Sequence, residues 1–309
     1  MFLSSFTGTF IYSILRAQKS DNEVLRIGAA GSITTLIGES SFYFIDAINA
    51  RSKVLDHNVS MGEMVKKVLK EEGIQGLFKG YTACYYSSIL YGYVYFYLYK
   101  GVKGYMKESE VYRNSSHSAS LRALIYASAS TIAEIISLFI YYPWELVKIR
   151  LLTRNDVFKY ESVSDAFVKI TRNDGIRGLY RGVNYFFLAF MGQYTLQMTC
   201  YELLTDYTIK QQTLKKYKEH QNFYVIRSSI FSGMIAALIT NPMEVIVLRK
   251  QTNSGQTVAQ LIKNEGFNLL TKGLQAKLLF TTCQSMVLFM SMNHIGQLFD
   301  TNLSEEKEE

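Results

Sequence analysis

The feature that most constrains this chain is a threefold internal repeat with a constant period. Three segments align: Phe44-Ile-Asp46-Ala-Ile-Asn49-Ala-Arg51, Pro143-Trp-Glu145-Leu-Val-Lys148-Ile-Arg150, and Pro242-Met-Glu244-Val-Ile-Val247-Leu-Arg249. Asp46, Glu145 and Glu244 are separated by 99 residues in both intervals, and the arginines five positions later keep the same intervals. A second element follows each segment, acid-Gly, five residues, then base-Gly: Glu72-Gly73 to Lys79-Gly80, Asp174-Gly175 to Arg181-Gly182, and Glu265-Gly266 to Lys272-Gly273. Upstream of each acid-Gly pair, apolar residues recur at helical spacing: Met64, Val65, Val68 and Leu69, then Ala166, Phe167 and Ile170, then Val258, Leu261 and Ile262. Each repeat therefore reads as a short amphipathic helix between two longer segments.

The longer segments, approximately residues 22–55, 79–106, 119–154, 180–211, 221–252 and 273–300, are apolar over lengths that exceed the ~20 residues of helix needed to cross a hydrocarbon core. Few are free of polar residues, which suits helices around a water-accessible cavity. In hydrocarbon every backbone polar group must be satisfied within the protein, so six helices closed into a bundle is the viable arrangement. Small residues four apart, Gly31 with Thr35 and Ser229 with Gly233, would let neighbouring helices approach closely. The second repeat departs from this pattern, because Ser130 is followed by Glu134.

Composition narrows the function. The chain is 48% hydrophobic and 19% charged with 2 Pro, which excludes a disordered or low-complexity chain. Its net charge of +7 is not gathered into a basic block, so a nucleic-acid surface has no support. Cys84, Cys200 and Cys283 lie far apart in apolar runs and read as reduced thiols, with no disulfide framework and no metal spacing. No HExxH, GxSxG, GxxxxGK[ST] or GxGxxG occurs, and catalysis is not expected. Residues 1–20 contain Arg16 and Lys19, no acid, and apolar residues that include Phe2, Leu3, Phe6, Phe10, Ile11 and Leu15; a basic targeting stretch and an interfacial helix both fit, and the interfacial helix is preferred.

The threefold motif resembles the signature of the mitochondrial carrier family: Pro-x-acid-x-x-base-x-base, an amphipathic helix, then acid-Gly-x4-aromatic-base-Gly. The resemblance runs from about residue 22 to 300. It implies an all-α membrane protein with six transmembrane helices in three pseudo-threefold repeats, each with a short matrix-side amphipathic helix. The domains would be an N-terminal extension (1–21), repeats at 22–112, 113–216 and 217–300, and an acidic tail (301–309). The resemblance also implies the inner mitochondrial membrane, termini toward the intermembrane space, and no cofactor beyond bound cardiolipin. Gly73, Gly80, Gly175, Gly182, Gly266 and Gly273 would mark the lipid sites, although helix termination accounts for them equally well.

Family members alternate access through two rings of ion pairs, and this sequence departs from both. The matrix-side acids Asp46, Glu145 and Glu244 are present, but their basic partners read Asn49, Lys148 and Val247, followed by Arg51, Arg150 and Arg249. On the family pattern Lys148 reaches Glu244, leaving two carboxylates without a cation. Phe44 replaces the kink-forming proline, so the first long helix is expected to be straighter than the third and fifth. The opposite ring retains Lys100, Lys103, Glu202 and Asn293, with no complete acid–base motif. Positions where the family binds substrate correspond to Ser87, Ala189, Phe190 and Thr281, with Tyr91, Tyr95, Gln193, Gln197 and Lys277 on the same faces.

The eroded rings, and seven tyrosines between Tyr85 and Tyr99, favour a transport-degenerate accessory subunit of a larger inner-membrane assembly such as a respiratory-chain complex. Glu134 is the residue to watch for a partner's cation. The alternative is an active carrier of a small neutral or weakly charged polar metabolite.

Overall fold

The computed structural model describes residues 12–55, 57–108, 119–153, 155–211, 220–252 and 255–300, so the outer N-terminal extension and the acidic tail lie outside the described residues. Every regular element among the described residues is helical. The first repeat gives α1 (Glu23–Ser41), α2 (Tyr43–Val54), α3 (Met61–Glu71), a 3-10 turn (Ile74–Phe78) and α4 (Tyr81–Glu108). The second gives α5 (Ala119–Thr153), α6 (Val163–Gly178) and α7 (Val183–Gln211), and the third gives α8 (Gln221–Gln251), α9 (Val258–Glu265) and α10 (Leu274–Leu298). Residues 12–18 are helical as well. Phe223–Gln251 is the one helix among the described residues that is long and apolar enough to cross a membrane by length and composition alone. Helices of similar length interrupt their apolar faces with side chains such as Glu134, Glu145 and Lys148 of the 35-residue α5.

The first long helix differs from its expected form. It is broken at Phe42 (φ −125°, ψ 25°), whereas α5 and α8 run unbroken through Pro143 and Pro242. The break follows the pair Ser40-Ser41, and serine pairs share with proline the capacity to kink a helix, because their hydroxyls compete with the backbone ladder. Ser40 Oγ accepts a hydrogen bond from the Tyr81 hydroxyl at 3.1 Å. The bend expected of a proline is thus present in this repeat by another route.

The described residues fall into two compact units. One comprises the residues up to Ile37, Tyr85–Tyr141 and those from Met290 onward. Its core joins Ile27, Ala29, Ala30 and Phe299, with Ile33 and Phe96 against them. Gly31 and Gly92 meet so closely that a Cβ on Gly92 would fall 2.5 Å from the Gly31 carbonyl oxygen, and Ser32 Oγ donates to the Ile89 carbonyl at 3.1 Å. The tyrosines of α4 resolve into ladders at i, i+4: Tyr91, Tyr95 and Tyr99 stack with centroids 5.9 and 6.2 Å apart, and Tyr93 stacks on Tyr97 at 5.8 Å. One helix thus carries two aromatic stripes on different faces.

The other unit comprises Gly38–Cys84 and Tyr142–Phe289. Here the amphipathic helices dock as their spacing predicts: α3 buries Met64 and Val68 against Ile45, Ile48 and Ala276, and α6 buries Val163, Ala166 and Ile170 against Tyr142, Leu146 and Val147. Leu69 and Ile262 are exceptions and stay exposed. Their starts are fixed by caps, with reciprocal capping boxes of Ser60 with Glu63 and Thr257 with Gln260, and Ser162 accepting from the Asp165 amide.

A further threefold feature was invisible in the motifs. Tyr43 and Tyr142 donate to the carbonyls of Lys79 and Arg181, each at 2.5 Å, and Asn241 donates to those of Leu270 and Lys272 at 2.9 and 3.1 Å. Each donor stands one residue before the conserved-spacing Pro or Phe position, and each acceptor includes the base of a base-Gly pair. The following glycine is required there: Gly273 has φ +64°, and a Cβ on it would lie 2.9 Å from the Lys53 side chain.

The acid of the acid-Gly pair is also reused. Arg51 holds Glu72 with two hydrogen bonds of 2.5 and 3.0 Å while Lys79 reaches it at 2.7 Å; Arg249 and Lys272 hold Glu265 in the same way. The second repeat breaks this rule, since Arg150 is fully buried, donates to the Gln251 carbonyl at 3.0 Å and lies over the Phe158 ring. The Arg51 hydrogen bonds, with Lys79, hold the Glu72 carboxyl down at about 2, below its ordinary 4.5. A depressed carboxyl contributes its full stability above pH 4.5 and loses it as pH falls toward 2. Thermal unfolding of the solubilised protein between those limits is therefore expected to show an acid limb that Glu72→Gln flattens; an unchanged limb would contradict the assignment.

Candidate functional site

Asp46 of α2, Glu145 of α5 and Glu244 of α8 lie in two lysine-bridged clusters within the second unit. Lys148 Nζ lies 3.1 Å from Asp46 Oδ2 and 2.9 Å from Glu145 Oε2. It therefore bridges its own helix to α2 and does not reach Glu244 by any ion pair, contrary to the family pattern. Glu244 is not left without a cation. Lys53 approaches its Oε1 at 2.7 Å, Lys277 its Oε2 at 2.6 Å, and Asn49 donates to Oε1 at 3.0 Å.

The expectation of two unpaired carboxylates is thus corrected: three carboxylates meet three ammoniums. The missing bases are displaced, not lost. Lys53 stands four residues after Asn49, on the same face of α2 and one turn further along, and its long flexible stem returns the charge to the site. Lys277 comes from α10. Val247 contributes no charge and is buried. All three ammoniums are nearly sealed, the Lys53 side chain completely so and those of Lys148 and Lys277 at 4% and 7% exposure. The carboxylates are wetter, with the Glu244 side chain 30% exposed, but an ammonium sealed this fully is costly to leave unpaired, so removing its carboxylate destabilises by up to about 3–5 kcal/mol. That cost suits a switch, because the network favours one conformation strongly over any in which the partners separate.

The network extends through polar side chains. Lys277 donates to Thr240 Oγ1 at 3.1 Å, and the Thr240 hydroxyl bonds to Gln193. Gln197 donates to Ser285 Oγ at 3.3 Å, beside Gly233, and Thr281 donates to the Lys277 carbonyl at 2.8 Å. Gln284 donates to Glu39 at 2.8 Å. Sequence reasoning missed Lys53, Glu39, Thr240 and Gln284; only Lys53 carried a signal, its helical offset from Asn49. Phe190 stacks on Phe186 with centroids 5.9 Å apart, and Ala189 is half-buried.

In the first unit Ser87 is buried and Tyr91 donates to Glu134 at 2.9 Å. Of the opposite ring, Lys100 pairs with Glu23 at 2.8 Å, an exposed contact worth about 0–1 kcal/mol. The side chains of Lys103, Glu202 and Asn293 lie outside the described residues. Gly73, Gly80, Gly175, Gly182, Gly266 and Gly273 all have positive φ, so backbone geometry alone accounts for glycine at these positions.

Comparison with known proteins agrees with this geometry. A family model described as mitochondrial carrier protein matches residues 20–110, 119–212 and 218–303. Mitochondrial uncoupling protein 3 of Arabidopsis thaliana is 25% identical over 78% of this chain and 84% of its own length. Nicotinamide adenine dinucleotide transporter 2 of the same plant is 27% identical over 91% of this chain and 81% of its own length. A probable mitochondrial phosphate carrier protein of Schizosaccharomyces pombe is 25% identical over 76% of this chain and 77% of its own length. Relatives named as transporters and carriers overturn the expectation of a structural accessory subunit, and on the matrix-side ring the bases that the motif lacks are supplied by Lys53 and Lys277.

If Lys53 and Lys277 share Glu244, their loss is not additive with loss of the acid. A double-mutant cycle of Lys53→Met with Glu244→Gln, read by thermal unfolding in detergent, is expected to give a coupling of about 0.5–3 kcal/mol. Strict additivity would show that the 2.7 Å contact carries no energy.

Proposed function

Because the chain belongs to the mitochondrial carrier family, we propose that it is a working solute carrier that moves a small neutral or weakly charged polar metabolite by alternating access. It is a membrane protein of a transporter family and not an enzyme. The observation that carries the reading is the charge-balanced network of Asp46, Glu145 and Glu244 with Lys53, Lys148 and Lys277, which supplies the conformational differential that a gate needs. The site of action is the inner mitochondrial membrane, with the termini toward the intermembrane space and the amphipathic helices toward the matrix.

Substrate class follows from which charges remain uncommitted. Nucleotides and phosphate, named for several relatives, call for convergent arginines or lysines. In this chain Lys277 is already paired with Glu244, leaving Gln193, Gln197 and Thr281 as the polar contacts of the second unit proposed for the substrate. A solute that draws Lys277 toward itself loosens Glu244, which links binding to opening. Cardiolipin is the proposed bound lipid at the glycine corners; a cavity of about 350 Å³ lined by Ser60, Met61, Gly273 and Leu274 adjoins two helix starts and suits a phosphate headgroup.

Reconstituted liposomes loaded with one polar solute at a time test the function. Saturable uptake or exchange is expected for at least one neutral or singly charged solute, reduced more than about tenfold by Lys148→Met, a loss equivalent to ~1.4 kcal/mol or more at the transition state. Absence of uptake across such a panel, with folded protein verified in the same vesicles, would defeat the reading.

A further inference from the structure

Glu134 is 3% exposed, lies within the long apolar helix α5 and accepts one hydrogen bond, from Tyr91 at 2.9 Å. Among the described residues no lysine or arginine comes within ion-pair distance of it. A carboxylate at membrane depth without a cation is costly, and such groups persist where they act. The repeat makes the cost specific to this position. Its equivalents one period away are Thr35, which folds back onto the Gly31 carbonyl at 2.6 Å, and Gly233, which sits against Thr281 and Ser285. Two repeats use the position for close packing; the second uses it for a charge.

What surrounds the charge selects its partner. Tyr91, whose hydroxyl holds Glu134, stacks on Tyr95 at 5.9 Å and meets Tyr141 edge-on at 5.6 Å. Tyrosine faces attract cations within about 6 Å of the ring centroid and repel anions, so carboxylate and rings favour the same sign of charge. Resting on the solute-carrier reading, we infer that Glu134 with Tyr91, Tyr95 and Tyr141 is the recognition site for a small organic cation, an amine or quaternary ammonium, held as an ion pair with Glu134 while the protein changes conformation and released on the far side. Pairing neutralises both partners during that change, which is the physical advantage of placing an uncompensated acid there.

Thermal unfolding of the full chain in detergent tests this with choline, ethanolamine and putrescine, and with 3,3-dimethylbutan-1-ol as the uncharged isostere of choline. At least one cation at about a hundredfold excess over its Kd is expected to raise Tm by about 5 °C, and the alcohol not at all. Glu134→Gln should fold at least as stably as the native chain and lose the shift, while Glu134→Asp keeps part of it. Tyr95→Phe retains the aromatic face and should retain affinity, whereas Tyr95→Leu should weaken it about 2- to 30-fold. No shift with any cation, an equal shift with the alcohol, or a shift that survives Glu134→Gln would each overturn the inference. Uptake of a neutral solute that needs an inward proton gradient and is lost in Glu134→Gln would also overturn it, by assigning the carboxylate a proton. Transport that is unaffected by Glu134→Gln would leave the solute-carrier reading standing and remove this one alone.

Discussion

Two almost fully buried lysines converge on the Glu244 carboxylate, and the way it is held organises much of the second unit. Lys53 arrives from α2 and Lys277 from α10, so one carboxylate ties three helices together, with Asn49 completing its oxygen shell. Lys148 does the corresponding work for Asp46 and Glu145. Because every ammonium here is almost sealed from water, the contacts screen poorly and separate at high cost. A network of this kind adds modestly to the stability of the state that contains it and strongly penalises its partial disruption. That is the energetic profile of a latch.

The overall plan was legible in the sequence because it is written in period and register. Acids 99 residues apart, glycine pairs and amphipathic spacing fixed the repeats, the elements and the convergence of Asp46, Glu145 and Glu244. The pairing was not legible, since a motif records where a base stands along the chain and says nothing of where a four-carbon stem can reach. Asn49 and Val247 looked like losses; one turn beyond Asn49, and on a different helix, lysines restored the balance. Reading the motif as a face, with i and i+4 treated as equivalent, would have found Lys53. Lys277, placed by its spacing on the cavity face, is also the second cation of Glu244, a pairing that its position along the chain does not announce.

The helix break follows the same lesson. Absence of proline at Phe44 suggested a straighter helix, yet the first long helix is interrupted at Phe42, just after the Ser40-Ser41 pair, while α5 and α8 run on through Pro143 and Pro242. Proline is one cause of bending among several, and the competing hydroxyls were available to be read. The second repeat's departures are related. Arg150 turns to a backbone carbonyl and a phenyl ring where its counterparts hold an acid, and Glu134 stands where its counterparts are small.

The hydroxyl and amide anchors ahead of the bends have a kinematic consequence. Tyr43, Tyr142 and Asn241 each fasten a bend to the corner that opens the following helix, so bend and corner turn together as one crank. The cranks are not seated alike: two hang from a single carbonyl through a phenol, and the third grips two carbonyls through an amide. Swinging such a set cannot produce three equal strokes, and the stiffest stroke belongs to the repeat that also carries Glu244.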